Sequence, residues 1–484
     1  MLLKHFFIEK IAHSSYLLAG SRSCAIIDPR RDIDIYIEAA DAHGVEITHI
    51  LETHLHADFI SGHMDLAAQT GAKIYVPKSG KCAFDHVAVS DGDTFEIDDI
   101  LIKVLETPGH TPEHLSYVVI DRTRGDEPAG VFCGDTMFVG DVGRPDLFPD
   151  MATELAGKLY DSLHDKLLKL PDFCEVWPCH GAGSLCGRAM GAKWRSTIGY
   201  ERRYNSALQI IEKVDFIESL TTDMPPAPDH FSLCSDINRQ GPARIGDLPS
   251  LSRMSPAGFR KAMADDDVIV LDVRSYEGFG SHHIPGAWHI DYNGNFPTFA
   301  GWTLPPDKKI LLVASTVEEA HNANVWARRV GVDRIFGHLE KSMFGWATSG
   351  FKTTSVRQIS AEDLHNYACG SEEIVLLDVR SPIEFADNHI GGAINIPTPE
   401  LRTRFDELDP SKKTILICST GHRSSLGTSI LKMHGFEDLL NVAGGMKGYS
   451  AAGHTRVCRV CANPHGSRYY ENYVPVQDKK DQPE

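Results

Sequence analysis

Residues 53–63 read Thr53-His54-Leu55-His56-Ala57-Asp58-Phe59-Ile60-Ser61-Gly62-His63. A His-x-His-x-Asp-His loop supplies ligands for two metals at once, but here the last position is Phe59, which has no donor atom. The loop therefore predicts a single metal with open coordination positions, and mononuclear chemistry rather than two-metal hydrolysis. A second reactive pattern is Ile415-Leu416-Ile417-Cys418-Ser419-Thr420-Gly421-His422-Arg423-Ser424-Ser425. An apolar run ends at a cysteine, and a short polar loop then enters a helix. Successive backbone N–H groups and the positive helix end would surround the sulfur, and Arg423 adds a fixed charge. Together they favour Cys418 as a thiolate or as a bound persulfide.

The elements that must position these residues can be read from hydrophobic periodicity. Ser14–Gly20 and Ser23–Ile27 read as a hairpin, Asp34–His43 and Met64–Thr70 as helices, and Lys73–Val76 and Asp93–Ile97 as further strands. Four strands each hand over to a loop with a candidate ligand: Ile47–Leu51 to His54, Leu101–Leu105 to His110, Gly130–Phe132 to Asp135, and Glu175–Val176 to His180. Pro and Gly between Thr221 and Pro249 predict a linker or an extended arm, with residues 231–250 as its main part.

The second half repeats itself. Val268-Ile269-Val270-Leu271-Asp272-Val273-Arg274-Ser275 recurs as Ile374-Val375-Leu376-Leu377-Asp378-Val379-Arg380-Ser381. Ile310–Thr316 recurs in the same way as Thr414–Thr420, with Ala314 in the place of Cys418. Each unit alternates short apolar strands with helices, which implies a parallel sheet flanked by helices in a domain of roughly one hundred residues. The expected organisation is thus an N-terminal αββα domain over 1–230, α/β domains over 251–352 and 355–453, and a tail over 454–484. In that tail Cys458 and Cys461, near His454 and His465, offer a weak zinc pattern; an exposed or packed tail is preferred.

At 484 residues the chain needs several cores, and 42% hydrophobic with 24% charged residues is a soluble globular composition. The net charge of -18 argues against a nucleic-acid partner. No apolar run approaches the ~18 residues of a transmembrane helix, and the apolar N-terminal stretch is too short for a signal peptide. Eleven scattered cysteines are not a disulfide framework and point to reduced thiols in the cytoplasm.

The ordered set of His-x-His-x-Asp, Pro-Gly-His-Thr, Gly-Asp and a late His resembles the metallo-β-lactamase superfamily over roughly the first 230 residues. Two branches compete. The glyoxalase II branch hydrolyses thioesters with two metals and needs the histidine that Phe59 replaces, together with Asp58 and His180. The persulfide dioxygenase branch uses one ferrous ion and is the closer resemblance. It implies one Fe(II) per chain held by His54, His110 and Asp135, with positions left for O2 and a sulfur substrate. His56 is then either a fourth ligand or a donor behind the ligands, the second being preferred, and Asp58 and His180 support the site from around it. Gly143-Arg144-Pro145-Asp146 resembles the Gly-Arg-x-Asp segment of that branch. Arg144 either binds a substrate carboxylate or pairs with Asp146 to hold the loop, and the second is preferred. Cys179 and Cys186 flank His180 and read as buried thiols.

The Cys418 loop, with Asp378-Val379-Arg380, Glu384-Phe385 and His389-Ile390-Gly391-Gly392-Ala393, resembles the rhodanese sulfurtransferases. The resemblance makes Cys418 and Arg423 catalytic, and makes Ser419, Thr420, Gly421 and His422 the cradle for the transferred sulfur. Phosphate-hydrolysing loops of related type are longer between Cys and Arg, and the shorter loop suits a single terminal sulfur. The first repeat, with Ala314 and acidic Glu318 and Glu319, reads as a rhodanese-like domain without sulfur chemistry of its own. The whole order resembles the persulfide dioxygenase–rhodanese fusions of bacterial sulfide detoxification. That resemblance implies oxidation of a low-molecular-weight persulfide, such as glutathione persulfide, to sulfite and thiol, with sulfur transfer at Cys418 giving thiosulfate or running in reverse. It also implies self-association. The alternatives are a two-metal thioesterase and a sulfur carrier or sensor.

Overall fold

The computed structural model describes residues 1–454 apart from Ala189, Asp223, Pro225 and Pro226; the Cys458/Cys461 pattern lies outside the described residues. The chain divides into two compact units. The first is Met1–Leu251 with Asn295–Pro306 and His321–Phe336, and the second holds the remainder.

The first unit contains two six-stranded sheets. One runs in order through β1 (Leu2–Ile8), β2 (His13–Ala19), β3 (Ser23–Ile27), β4 (Glu46–Leu51), β5 (Lys73–Pro77) and β6 (Val87–Val89). The other orders β7 (Thr94–Ile97), β8 (Ile100–Glu106), β9 (Leu115–Asp121), β10 (Gly130–Gly134), β11 (Glu175–Pro178) and β12 (Ser196–Thr197) in reverse. Side chains alternate faces along a strand. Tyr16, Leu18, Ile27 and Leu51 thus meet Ile102, Val104, Tyr117 and Phe132 in the core between the sheets. Their neighbours Leu17, Ala19, Cys24, Ile26 and Ile50 face outward onto helices Asp34–His43 and His63–Thr70. Helices Ala152–Asp161 and Lys213–Thr221 cover the other sheet through Leu159, Phe216 and Leu220. The result is an αββα sandwich.

The expected ligand loops all leave strand ends. His54 follows β4, His110 lies in the β8–β9 connection, Asp135 follows β10 and His180 follows β11. The β10–β11 register shifts between Phe132 and Gly134, which frees the chain just before Asp135. Gly134 sits at φ 48°, and a Cβ there would lie 2.5 Å from the His114 Nε2 and 2.6 Å from the Thr53 Oγ1.

The first half of the expected 231–250 linker is helical. His230–Gln240 is a helix whose Phe231, Cys234, Ser235 and Asn238 are buried, at the spacing of one helical face. That face is half polar because Ser235 and Asn238 bond backbone carbonyls while Phe231 packs against Ala57 and Phe138, which hides it from a hydrophobicity reading. Two segments of the first repeat also belong to this unit. Arg31, 1% exposed, forks onto Asp333 at 2.9 Å through both terminal nitrogens, and Arg329 forks onto Asp32 at 2.6 and 2.7 Å.

The repeats carry the same five-stranded order twice. β13 (Ser252–Met254), β17 (Ile335–Leu339), β16 (Lys309–Val313), β14 (Val268–Asp272) and β15 (Trp288–His289) form one sheet. β18 (Arg357–Ile359), β22 (Leu439–Val442), β21 (Thr414–Ile417), β19 (Val375–Asp378) and β20 (Ile394–Asn395) form the other, and strands pair in parallel in both. The shared Asp-Val-Arg motif is architectural. Arg274 forks onto Asp272 and reaches the His282 carbonyl, and Arg380 does the same with Asp378 and Asn388. Among the described residues no helix is long and apolar enough to cross a membrane.

Candidate functional site

The strand ends bring His54, His110 and Asp135 together, all three at most 1% exposed. The Nε2 atoms of His54 and His110 lie 3.8 and 3.3 Å from Asp135 Oδ2 and have no hydrogen-bond partner. The neighbours of these rings decide which nitrogen bears the proton. The Thr53 hydroxyl has one hydrogen, which it donates to Asp28 at 3.0 Å; it therefore accepts from His54 Nδ1 at 2.9 Å. The Arg144 carbonyl can only accept, so His110 Nδ1, 2.9 Å away, is also a donor. Both Nε2 lone pairs are thus turned inward. Burial pushes both imidazoles down, well down for His54, while Asp135 is held below the usual carboxylate range by His180 and His110 against the opposing effect of burial. Two neutral imidazoles, one carboxylate and two orphaned lone pairs fit one cation.

His56 points elsewhere. Its Nε2 lies 3.2 Å from Asp28 and 3.1 Å from Glu52; burial disfavours its charge, but the two carboxylates raise it to about 10. Phe59 is 1% exposed and packs against the His13 ring at 4.0 Å and the His56 ring at 4.3 Å. Asp58 Oδ2 lies 2.9 Å from His180 Nε2, and His180 Nδ1 donates to Asp135 Oδ1 at 2.8 Å. Burial opposes charge on His180, yet Asp135 and Asp58 bring it well above its ordinary value. Cys179 and Cys186 are buried, and burial first, then the nearby carboxylates, push their thiols far up. Arg144 gives its Nε and one terminal nitrogen to Asp146, both at 2.7 Å, and another to the Leu185 carbonyl. Of the two roles expected for Arg144, this geometry is that of the loop-holding pair with Asp146, two residues away.

Several supporting residues were not found from the sequence. His114 accepts the Asp135 backbone N–H at 2.9 Å, and burial with the nearby His110 lowers it to about 3, so it stays neutral. Its position in Pro108-Gly109-His110-Thr111-Pro112-Glu113-His114 was the available signal. Asn238 donates to the carbonyls of His56 and Phe59 at 2.8 Å and accepts from Ser61 N–H at 2.9 Å. It staples the ligand loop from far along the chain, which no local pattern announces.

In the second unit Cys418 directly follows β21 and is 1% exposed. Its Sγ receives the Gly421 N–H at 3.1 Å and the Ser424 hydroxyl at 3.4 Å. Gly421 caps helix His422–Met433 at φ 102°. Thr420 Oγ1 contacts His422 Nδ1 at 2.8 Å, and the Ser419 carbonyl accepts from Lys447 N–H at 3.0 Å. Arg423 forks onto Glu384 at 2.6 and 2.7 Å, so its charge is shared with a carboxylate rather than given to the sulfur alone. Ser424 is a sulfur contact that the sequence reading missed. In the first repeat Glu319 bonds the Ser315 N–H and occupies with its own carboxylate an amide of the loop that follows Ala314.

Comparison with known proteins matches residues 9–173 to the metallo-beta-lactamase superfamily and residues 255–349 and 360–452 to the rhodanese-like domain. A crystal structure of a metallo-beta-lactamase from Staphylococcus aureus subsp. aureus COL is 34% identical, with a TM-score of 0.63, over 70% of this chain and 98% of that one. A mitochondrial persulfide dioxygenase of Bos taurus is 28% identical over 47% of this chain and 85% of its own length. A hydroxyacylglutathione hydrolase of Rhodospirillum rubrum is 36% identical over 31% of this chain, which spans 54% of that relative.

Proposed function

We propose that this chain, which belongs to the metallo-beta-lactamase superfamily and carries two rhodanese-like domains, oxidises a low-molecular-weight persulfide at a single iron and transfers sulfur at Cys418. The observation that carries the reading is Phe59. It fills with hydrocarbon the position where a two-metal loop needs a donor, beside a three-donor set with two orphaned Nε2 atoms. Ferrous iron held by His54, His110 and Asp135 would supply the redox chemistry that joins O2 to the terminal sulfur. The chain's own residues do the rest at this centre. Thr53 and the Arg144 carbonyl fix the ring tautomers, His114 and His180 hold Asp135 from its backbone and its carboxylate, and burial keeps bulk water away. The overall conversion is persulfide, O2 and water to thiol, sulfite and protons.

At the second centre the Cys418 thiolate attacks the outer sulfur of a persulfide. The thiol leaves, and a Cys418 persulfide forms. Sulfite then attacks that outer sulfur, giving thiosulfate and restoring the thiolate. The Gly421 N–H and the Ser424 hydroxyl are placed to stabilise negative sulfur in both steps. Tethering the two activities raises the local supply of sulfite.

The rival is a two-metal thioesterase, favoured by the retained Asp58 and His180 and by the hydroxyacylglutathione hydrolase likeness. Metal analysis of anaerobically purified protein, with oxygen uptake on glutathione persulfide, decides between them. We expect one iron per chain and persulfide-dependent uptake; paired zinc with thioester hydrolysis would overturn the reading. A Cys418→Ser variant is expected to keep oxygen uptake and lose thiosulfate formation. Loss of both in folded protein would refute the division of labour.

A further inference from the structure

The first repeat has no sulfur-bearing residue at Ala314, yet its strand ends reach the Cys418 loop within the same unit. Tyr276 follows β14, and its ring packs edge-on against His422 at 5.2 Å. It also lies so close to Gly421 that a Cβ there would stand 3.1 Å from the Tyr276 Cζ. Gly445 carries no Cβ because one would lie 2.2 Å from the Cys418 carbonyl. The Tyr276 ring thus packs on the turn whose amide is aimed at the sulfur.

Asp291, just after β15, is 3% exposed and serves the same end. It accepts the N–H groups of Tyr276 and Asn293, both at 2.8 Å, and faces His422 Nε2 at 3.7 Å. Gly294 also lies against this side chain, since a Cβ there would stand 3.2 Å from the His422 ring. His289 locks the helix behind. Its Nε2 donates to the Arg274 carbonyl at 2.9 Å, so its Nδ1 accepts from the Ser425 hydroxyl at 2.9 Å, and its N–H reaches Ser429 at 3.1 Å.

We propose that the first repeat is a working half of the sulfur-transfer site: Tyr276 and Asp291 are positioning residues that hold Gly421 and His422, and through them the amide aimed at the Cys418 sulfur. The proposal rests on the sulfur-transfer reading of Cys418. A misplacement of about 1 Å in such an amide costs on the order of 100-fold in rate.

The test uses the full-length, metal-loaded protein with Tyr276→Ala, Tyr276→Phe and Asp291→Asn. Three quantities are followed: transfer from thiosulfate to a thiol, the rate of Cys418 alkylation by iodoacetamide, and oxygen uptake on glutathione persulfide. Tyr276→Ala is expected to lower kcat for transfer roughly 10–100-fold and to change the alkylation rate, with oxygen uptake preserved. Tyr276→Phe keeps the ring on Gly421 and recovers most of the loss, whereas Asp291→Asn lowers kcat several-fold. Transfer and alkylation at parental rates in Tyr276→Ala and Asp291→Asn would overturn the proposal. So would a fall in oxygen uptake that matches the fall in transfer, because that signals general disruption. Should the parent protein show no transfer at all, the sulfur-transfer reading fails instead, and the alkylation rates still decide whether the first repeat shapes the cysteine.

Discussion

At the scale of single residues, the metal centre depends on side chains that never touch the cation site. Thr53 is the example. Its one hydroxyl proton goes to Asp28, which obliges it to accept from His54 and so turns the His54 lone pair inward. Thr53→Val removes that choice of tautomer, and we expect metal affinity to fall roughly 10–100-fold with the fold intact, as read by metal titration. An unchanged affinity would mean that geometry alone holds the ring. At the other centre, burial raises the Glu384 carboxyl, but the Arg423 fork and the Ser381 cap outweigh it and hold it at about 2 against an ordinary 4.5. A depressed folded value stabilises above the unfolded one, so this contribution is complete above about pH 4.5 and disappears as pH falls toward about 2. The melting temperature of Glu384→Gln should therefore lie below that of the parent at neutral pH and converge on it near pH 2. A gap that stays constant across that range would remove the ion pair as its source.

At the scale of elements, the half-polar helix His230–Gln240 matters more to the site than its composition suggests. Asn238 makes three hydrogen bonds to the backbone of residues 56–61. Asn238→Ala leaves two buried carbonyls and an N–H unpaired. We expect a loss of about 2 kcal/mol in stability and lower metal occupancy after purification, measured by denaturant unfolding and metal content. Full occupancy with unchanged stability would show that the loop holds its own shape. The repeated Asp-Val-Arg corners teach the converse. They are legible in the sequence as a pair, and in both copies the Arg–Asp fork builds a strand end. What separates the two copies chemically is the loop after β16 and β21, where Ala314 stands in one and Cys418 in the other.

At the scale of the molecule, the boundary between sandwich and first repeat does not follow the chain. Residues 295–306 and 321–336 belong with the sandwich, and Arg31 finds its carboxylate in Asp333, some three hundred residues away. Asp333→Ala leaves a buried guanidinium with only carbonyl partners, Arg328 and Ala243. We expect it to destabilise the first unit by about 3 kcal/mol, seen as an early unfolding transition in calorimetry, while the Cys418 unit melts as before. One unshifted transition would refute that separation.

The sequence by itself determined the sandwich strands, the duplication, and the residues that could carry a metal or a sulfur. Those signals are local: period-two alternation, a strand followed by a ligand, a cysteine ahead of a helix. Only the tertiary structure decided that His56 turns to Asp28 and Glu52, that Arg144 is committed to Asp146, and that Arg423 is shared with Glu384. It alone also brought His114, Asn238 and Tyr276 to the two centres. The physical reason is that a donor's type is written in one residue, while the direction it points depends on which carboxylate, carbonyl or hydroxyl the fold places beside it.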